Sequence, residues 1–213
     1  MTNAQVTALQ YGFIGFLAVW ATILIPQLVL QFARHGRPQL RSLVTTAAVV
    51  LYGCMTLAVV FLPLPGPNSR RLEQTVQLVP FQWVTDIHTE LAKHGLSAAH
   101  WFTTQTFQQA AMNVLLFVPL GFFARVLWRR GVVGAVAIGA AASLAIEITQ
   151  LTANFGTAPF VYRIFDVDDL MTNTFGAGLG WLAGALLLAI RPISSTLRLE
   201  PARSERVDLA QTR

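Results

Sequence analysis

Apolar positions along this chain neither alternate strand-like nor keep to one helical stripe. They fill five long blocks. Residues 11–33 and 42–64 contain no charged side chain, and 107–127 has none before Arg125. Residues 132–152 carry a single one, Glu147, and 167–190 is clean after Asp168 and Asp169. About 20 apolar residues at ~1.5 Å each cross the hydrocarbon core of a bilayer. A surface helix of a soluble domain keeps a polar face, and these blocks have none. The pattern predicts an all-α fold, a polytopic integral membrane bundle of five transmembrane helices.

Composition agrees. Of 213 residues, 54% are hydrophobic and only 12% charged, too few charges to cover a soluble surface and too much apolar area for disorder. One cysteine, Cys54, lies in an apolar block, which excludes an intramolecular disulfide and a thiolate metal cage. It reads as a packing residue. The first block is not read as a cleavable signal, because residues 1–10 lack the Lys or Arg of a basic n-region and the apolar run is too long. Pro26 is expected to kink it.

The net charge of +5 is a matter of topology. Eleven of the fifteen basic residues fall in the first short loop (Arg34, Arg37, Arg41), at the end of the third span (Arg125, Arg129, Arg130) and beyond residue 190. The positive-inside rule makes that side cytoplasmic and the bundle N-out, C-in. The charges also suit anionic lipid headgroups and form no basic face, so nucleic acid is not an expected partner. Residues 1–10 are then a short outer segment, 11–190 the membrane domain, 65–106 the only long outer loop, and 191–213 a disordered cytoplasmic tail.

Polar residues inside a membrane are costly, so their placement is informative. At ~1.5 Å per residue, Asn113, Glu147 and Asn173 fall about 7–10 Å below the outer boundary, with Gln150 near them. The fourth loop adds Arg163, Asp166, Asp168 and Asp169 above. Ser143, Glu147 and Gln150 share one helical face, as do Asp169, Asn173 and Gly176. A small-residue stripe, Gly176, Gly180 and Gly184, continues below, as Gly139 and Ser143 do below Glu147, and small-xxx-small spacing lets helices approach closely. It is expected to pack the fourth and fifth spans together and turn Glu147 toward Asn173. Pro119 frees the carbonyl of Leu115.

Three stretches carry a family resemblance. They are Asn113-Val-Leu-Leu-Phe-Val-Pro-Leu-Gly121, then Ser143-Leu-Ala-Ile-Glu147-Ile-Thr-Gln150, then Arg163-Ile-Phe-Asp166-Val-Asp168-Asp169-Leu-Met-Thr-Asn173-Thr-Phe-Gly176. In order and spacing the chain resembles the VanZ-like family of small membrane proteins over about residues 43–188. Leu78-Val-Pro-Phe81 is similar to a further family element, with Gln77 where an asparagine is usual. The resemblance implies a link to low-level teicoplanin resistance.

Each polar group has two readings. Glu147 is a pocket ligand or proton acceptor, or else a structural group, neutral or paired with Arg163. Arg163 with Asp166 and Asp169 holds an anionic headgroup or sugar, or forms a salt-bridged loop in which Asp side chains cap the fifth span. Asp168 reads as a cap or a solvated charge. Asn113 and Asn173 bind a ligand or join helices. The carboxylates resemble no calcium loop, His88, His94 and His100 share no helical face, and neither a metal nor a cofactor is expected. No catalytic motif is present. The expectation is a non-enzymatic accessory protein. Its ligand contacts are Asn113, Glu147, Gln150, Arg163, Asp166, Asp169 and Asn173, and its partners are membrane lipids and a lipid-linked cell-wall precursor or lipoglycopeptide. The alternative is an enzyme on an outer lipid or sugar, with Glu147 and Asp169 as acid and base.

Overall fold

A computed structural model describes residues 3–66 and 69–196. The elements are α1 (Asn3–His35), α2 (Leu40–Phe61), β1 (Val76–Gln77), α3 (Gln82–Lys93), α4 (Gln105–Val126), α5 (Val132–Leu151), the one-turn α6 (Ala153–Gly156), β2 (Phe165–Asp166) and α7 (Val167–Thr196). A 3-10 turn, Ala98–Thr103, precedes α4. Five stretches are long and apolar enough to cross a membrane: Val6–His35, Leu40–Phe61, Gln105–Val126, Val132–Leu151 and Val167–Ile190. The five-span helical bundle is therefore present, with boundaries shifted by a few residues. The last helix runs on through Thr196. The rest of the expected tail, 197–213, lies outside the described residues.

By internal contacts the chain forms two compact units. The first joins Met1–Thr85 to Ala142–Leu170. Its frame is the α1–α2 hairpin. Gly36 ends α1 with φ +66° and donates its N–H to the carbonyl of Phe32 at 2.9 Å, the left-handed stop that glycine adopts without a Cβ clash. The antiparallel helices approach closely at Gly12, where a Cβ would meet the Met55 sulfur at 2.9 Å and the Ala58 Cβ at 3.1 Å. At the other end Gln27 donates through Nε2 to the hydroxyl of Thr46 at 2.9 Å and to Ser42.

The second unit joins Asp86–Ala141 to Met171–Arg213. Here the glycine stripe does its packing, though not against the helix expected from sequence. A Cβ at Gly176 or Gly180 would overlap the carbonyl oxygens of Val114 and Val118, and one at Gly184 would meet the Arg125 side chain at 3.0 Å, all on α4. Gly121 of α4 answers by accommodating the carbonyl of Ala177. The Gly176–Gly184 stripe thus fits the third span, while the expected approach of the fourth and fifth spans is made by Gly139 of α5 against Ala177 of α7. Periodicity gives the small face of a helix but not the identity of the helix it meets. Phe117, Ala124, Ala135 and Ala177 are buried in this unit.

The long connection between α2 and α4 contains a helix of its own. α3 is amphipathic, with Ile87 and Leu91 buried one turn apart. Glu90, between them, accepts from the backbone N–H groups of Gln105 at 2.7 Å and Thr106 at 3.2 Å and from the Thr106 hydroxyl at 3.1 Å. These are orphan donors at the start of α4, where the helix dipole also favours an anion. The Gln105 N–H first, with the Thr106 donors and nearby His94, holds the Glu90 carboxyl below its ordinary range against a smaller opposing effect of burial. Thr104 adds an N-cap, its hydroxyl accepting from the N–H of Phe107.

Candidate functional site

Most of the sequence-predicted polar residues gather in the first unit, around the last turn of α2. That turn leaves carbonyls without intrahelical donors. Gln150 of α5 donates through Nε2 to the Val60 oxygen at 3.2 Å. The hydroxyl of Tyr162 donates to the Phe61 oxygen at 2.8 Å and accepts from Asn154 Nδ2 at 2.7 Å. Arg163 points Nη2 at the oxygens of Val59 and Leu62, each at 3.4 Å. A guanidinium here meets the negative end of the α2 dipole. Asn154 and Phe155 are held in left-handed backbone within α6, which turns the chain from α5 back toward α2.

A short parallel pair, β1 with β2, sets the next layer. Val76 pairs with Phe165 and Gln77 with Asp166. The N–H of Phe165 donates to Thr75 at 2.9 Å. The following N–H, that of Asp166, is thereby turned away from the strand and donates to Oε2 of Glu147 at 3.0 Å. Asp166 is the N-cap of α7: its Oδ1 accepts from the N–H of Asp168 at 2.8 Å and from Gln77 Nε2 at 3.4 Å. Asp168 is only 4% exposed. Its two oxygens accept from the N–H groups of Phe81 at 2.6 Å and Trp83 at 3.0 Å, so it caps α3 and is no solvated charge.

Glu147 sits at the centre of this network and is 1% exposed. Asp169, Asp166 and Arg163 all lie close enough to act on its carboxylate electrostatically. A buried carboxylate of this kind demands neighbours that answer or neutralise its charge. Ser143, one turn earlier on α5, is fully buried as well. The structure therefore brings together Glu147, Gln150, Arg163, Asp166 and Asp169. Asn113 and Asn173 belong to the second unit, where Asn113 adjoins Val114 and Asn173 lies one turn before Gly176 at the α4–α7 contact. Among the described residues no group of three His, Cys, Asp or Glu side chains is placed to hold a metal ion.

A family model described as VanZ/LLP1 matches residues 49–188. The chain belongs to the VanZ/LLP1 family. The matched stretch of this VanZ/LLP1 protein contains the α2 C-terminus, both short strands and every carboxylate of the Glu147 network. No curated protein and no solved structure matches the sequence.

Three residues of the network were missed from sequence or given another role. The Tyr162 hydroxyl caps α2 at Phe61, about a hundred residues away, with Asn154 donating to that hydroxyl, a pairing no local spacing announces. Gln77 stands in a family element, and its side chain closes a turn on Val79 and reaches Asp166. That element was the available signal.

Proposed function

We propose that this VanZ/LLP1 protein is a non-enzymatic membrane accessory protein of the bacterial cytoplasmic membrane, N-out and C-in. In this reading the Glu147 network faces outward and binds a lipid-linked or glycan-bearing envelope molecule. The observation that carries the reading is a carboxylate 1% exposed at the end of a membrane span, with two further aspartates and a guanidinium acting on it. An intramembrane ionisable residue is by default a site candidate. Gln150 and Asp166 already serve as helix caps, and so does part of Arg163. In this reading Glu147, Asp169 and Arg163 are the principal ligand contacts, and the buried Arg163 Nε has no protein acceptor among the described residues. Carboxylates accept from sugar hydroxyls, and a guanidinium N–H matches a phosphate oxygen, the two functions of a lipid-linked glycan phosphate.

The family name motivates a resistance phenotype. Teicoplanin and vancomycin susceptibility is measured in cells expressing the wild type, Glu147→Gln and Arg163→Ala. A rise in teicoplanin tolerance that both variants lose is expected; tolerance equal to empty vector throughout removes this role. The proximity of Asp169 to Glu147 favours one second reading, an acid–base pair acting on an outer lipid or sugar. Turnover of envelope lipid by the purified protein, abolished in Glu147→Gln, distinguishes it from binding alone.

A further inference from the structure

A second polar site lies in the first unit, at the other end of α2 from the Glu147 network. Between α1 and the start of α2 runs a groove of about 540 Å³, lined by Thr22, Pro26, Gln27, Gln31, Arg34 and Ser42 among others. That volume is in the range of small-molecule and headgroup sites. From Ser42 to Val59 along α2 is about 26 Å at ~1.5 Å per residue, so the two sites are separate.

The groove contains polar groups that no other described residue satisfies. Gln31 is 7% exposed, and its amide orientation is fixed because Oε1 accepts the N–H of Gln39 at 2.6 Å. Its Nε2 is thereby aimed elsewhere, and it is buried with no acceptor among the described residues. Gln27 shows the complementary case. Its Nε2 is committed to Ser42 and Thr46, and its Oε1 is buried with no donor among the described residues. Pro26 adds a third group: lacking an N–H, it leaves the carbonyl of Thr22 without its intrahelical donor. Orphaned groups in such a setting cost about 1–3 kcal/mol each unless a ligand or water meets them. Arg34, in the last turn of α1, supplies a cation at the same mouth. Ile23 and Leu30 provide an apolar wall.

We infer that this groove is a binding site for a glycerophospholipid, with the phosphodiester held by Arg34 and the Gln31 Nε2 donor and a headgroup hydrogen-bond donor given to the Gln27 Oε1. The chemistry is set by the orphaned pair. One donor beside a guanidinium fits a phosphate oxygen. One acceptor a turn away fits a headgroup hydroxyl or ammonium. The acyl chains lie along the apolar wall, where a membrane supplies the ligand at high local concentration.

The test uses the full chain purified in detergent, with native mass spectrometry and lipid titration. The probes are phosphatidylglycerol, phosphatidylethanolamine and phosphatidylcholine of identical acyl chains. Phosphatidylglycerol and phosphatidylethanolamine, whose headgroups carry a donor, are expected to bind at least severalfold tighter than phosphatidylcholine, which has none; the ranking of the first two tells hydroxyl from ammonium. Gln31→Glu keeps the acceptor for the Gln39 N–H but replaces the amide donor with an anion, and is expected to weaken phosphatidylglycerol binding at least about tenfold. Arg34→Gln, at an exposed position, is expected to weaken it severalfold. Equal binding of all three lipids, or undiminished binding in both variants, overturns the assignment. Glu147→Gln is expected to leave this binding unchanged, which keeps the result independent of the envelope-ligand reading.

Discussion

The backbone N–H of Asp166 donates to Glu147 Oε2 across 3.0 Å, tying the loop before α7 to a carboxylate buried near the end of α5. The bond exists because β1 and β2 pair in parallel and orient the Asp166 peptide. It gives Glu147 a structural duty on one oxygen. In the proposed function the other oxygen meets the ligand.

Separate variants divide these duties. Glu147→Gln keeps an acceptor for the Asp166 N–H and is expected to hold stability within about 1 kcal/mol of wild type. Glu147→Leu leaves that N–H orphaned and is expected to cost about 1–3 kcal/mol. Thermal unfolding in detergent micelles reads both. Equal losses in the two variants would show that the hydrogen bond contributes nothing.

The glycines make a sharper contrast. Gly180→Ala places a Cβ on the carbonyl oxygen of Val118, and backbone cannot give way cheaply. A loss of about 1–3 kcal/mol is expected. Gly53, within α2, has nothing within 4 Å of its Cβ position. Gly53→Ala is expected to be neutral or to stabilise by up to about 1 kcal/mol through helix propensity. The same unfolding assay compares them, and a destabilised Gly53→Ala beside an unaffected Gly180→Ala would contradict the α4–α7 packing.

Much of this was legible in advance, for a physical reason. The cost of burying charge in lipid writes the spans directly into the sequence, and Gln105–Val126 and Val132–Leu151 differ from expectation by at most two residues at either end. The candidate carboxylates were legible on the same ground. The capping network was not. Arg163 and Gln150 were singled out as ligand contacts, and their hydrogen bonds to carbonyls in the last turn of α2, some ninety or more residues away, were not foreseen. Helical spacing gives neighbours within one element and is silent on which helix end a distant side chain will reach. The partner of the Gly176–Gly184 stripe was misassigned for the same reason.

Glu90 provides a pH-dependent prediction outside the membrane. Its folded carboxyl titrates below the unfolded value, so its stabilisation is present above the unfolded carboxylate range and lost as pH falls through the folded one. Wild type is expected to exceed Glu90→Gln in stability near pH 7, with the gap closing as the solution is acidified toward pH 3. Unfolding midpoints across that interval measure it. A constant gap would mean that the charge on Glu90 does not matter to α4.

Arg163→Ala removes the guanidinium from the C-terminal carbonyls of α2, and a loss of about 0.5–2 kcal/mol is expected. Arg163→Lys keeps the charge but not the planar fork, so a smaller loss is expected. Denaturation of the purified variants orders the three proteins; identical stability would dissociate Arg163 from the α2 terminus.

Direct binding probes the proposed site most closely. Full-length protein in nanodiscs is titrated with an undecaprenyl-pyrophosphate-linked cell-wall precursor, comparing wild type, Glu147→Gln and the remote control Gly53→Ala. Saturable binding, weakened at least about tenfold in Glu147→Gln and unchanged in Gly53→Ala, is the expected result. The same affinity in all three proteins, or no saturable binding in any, would contradict a ligand role for the buried carboxylate.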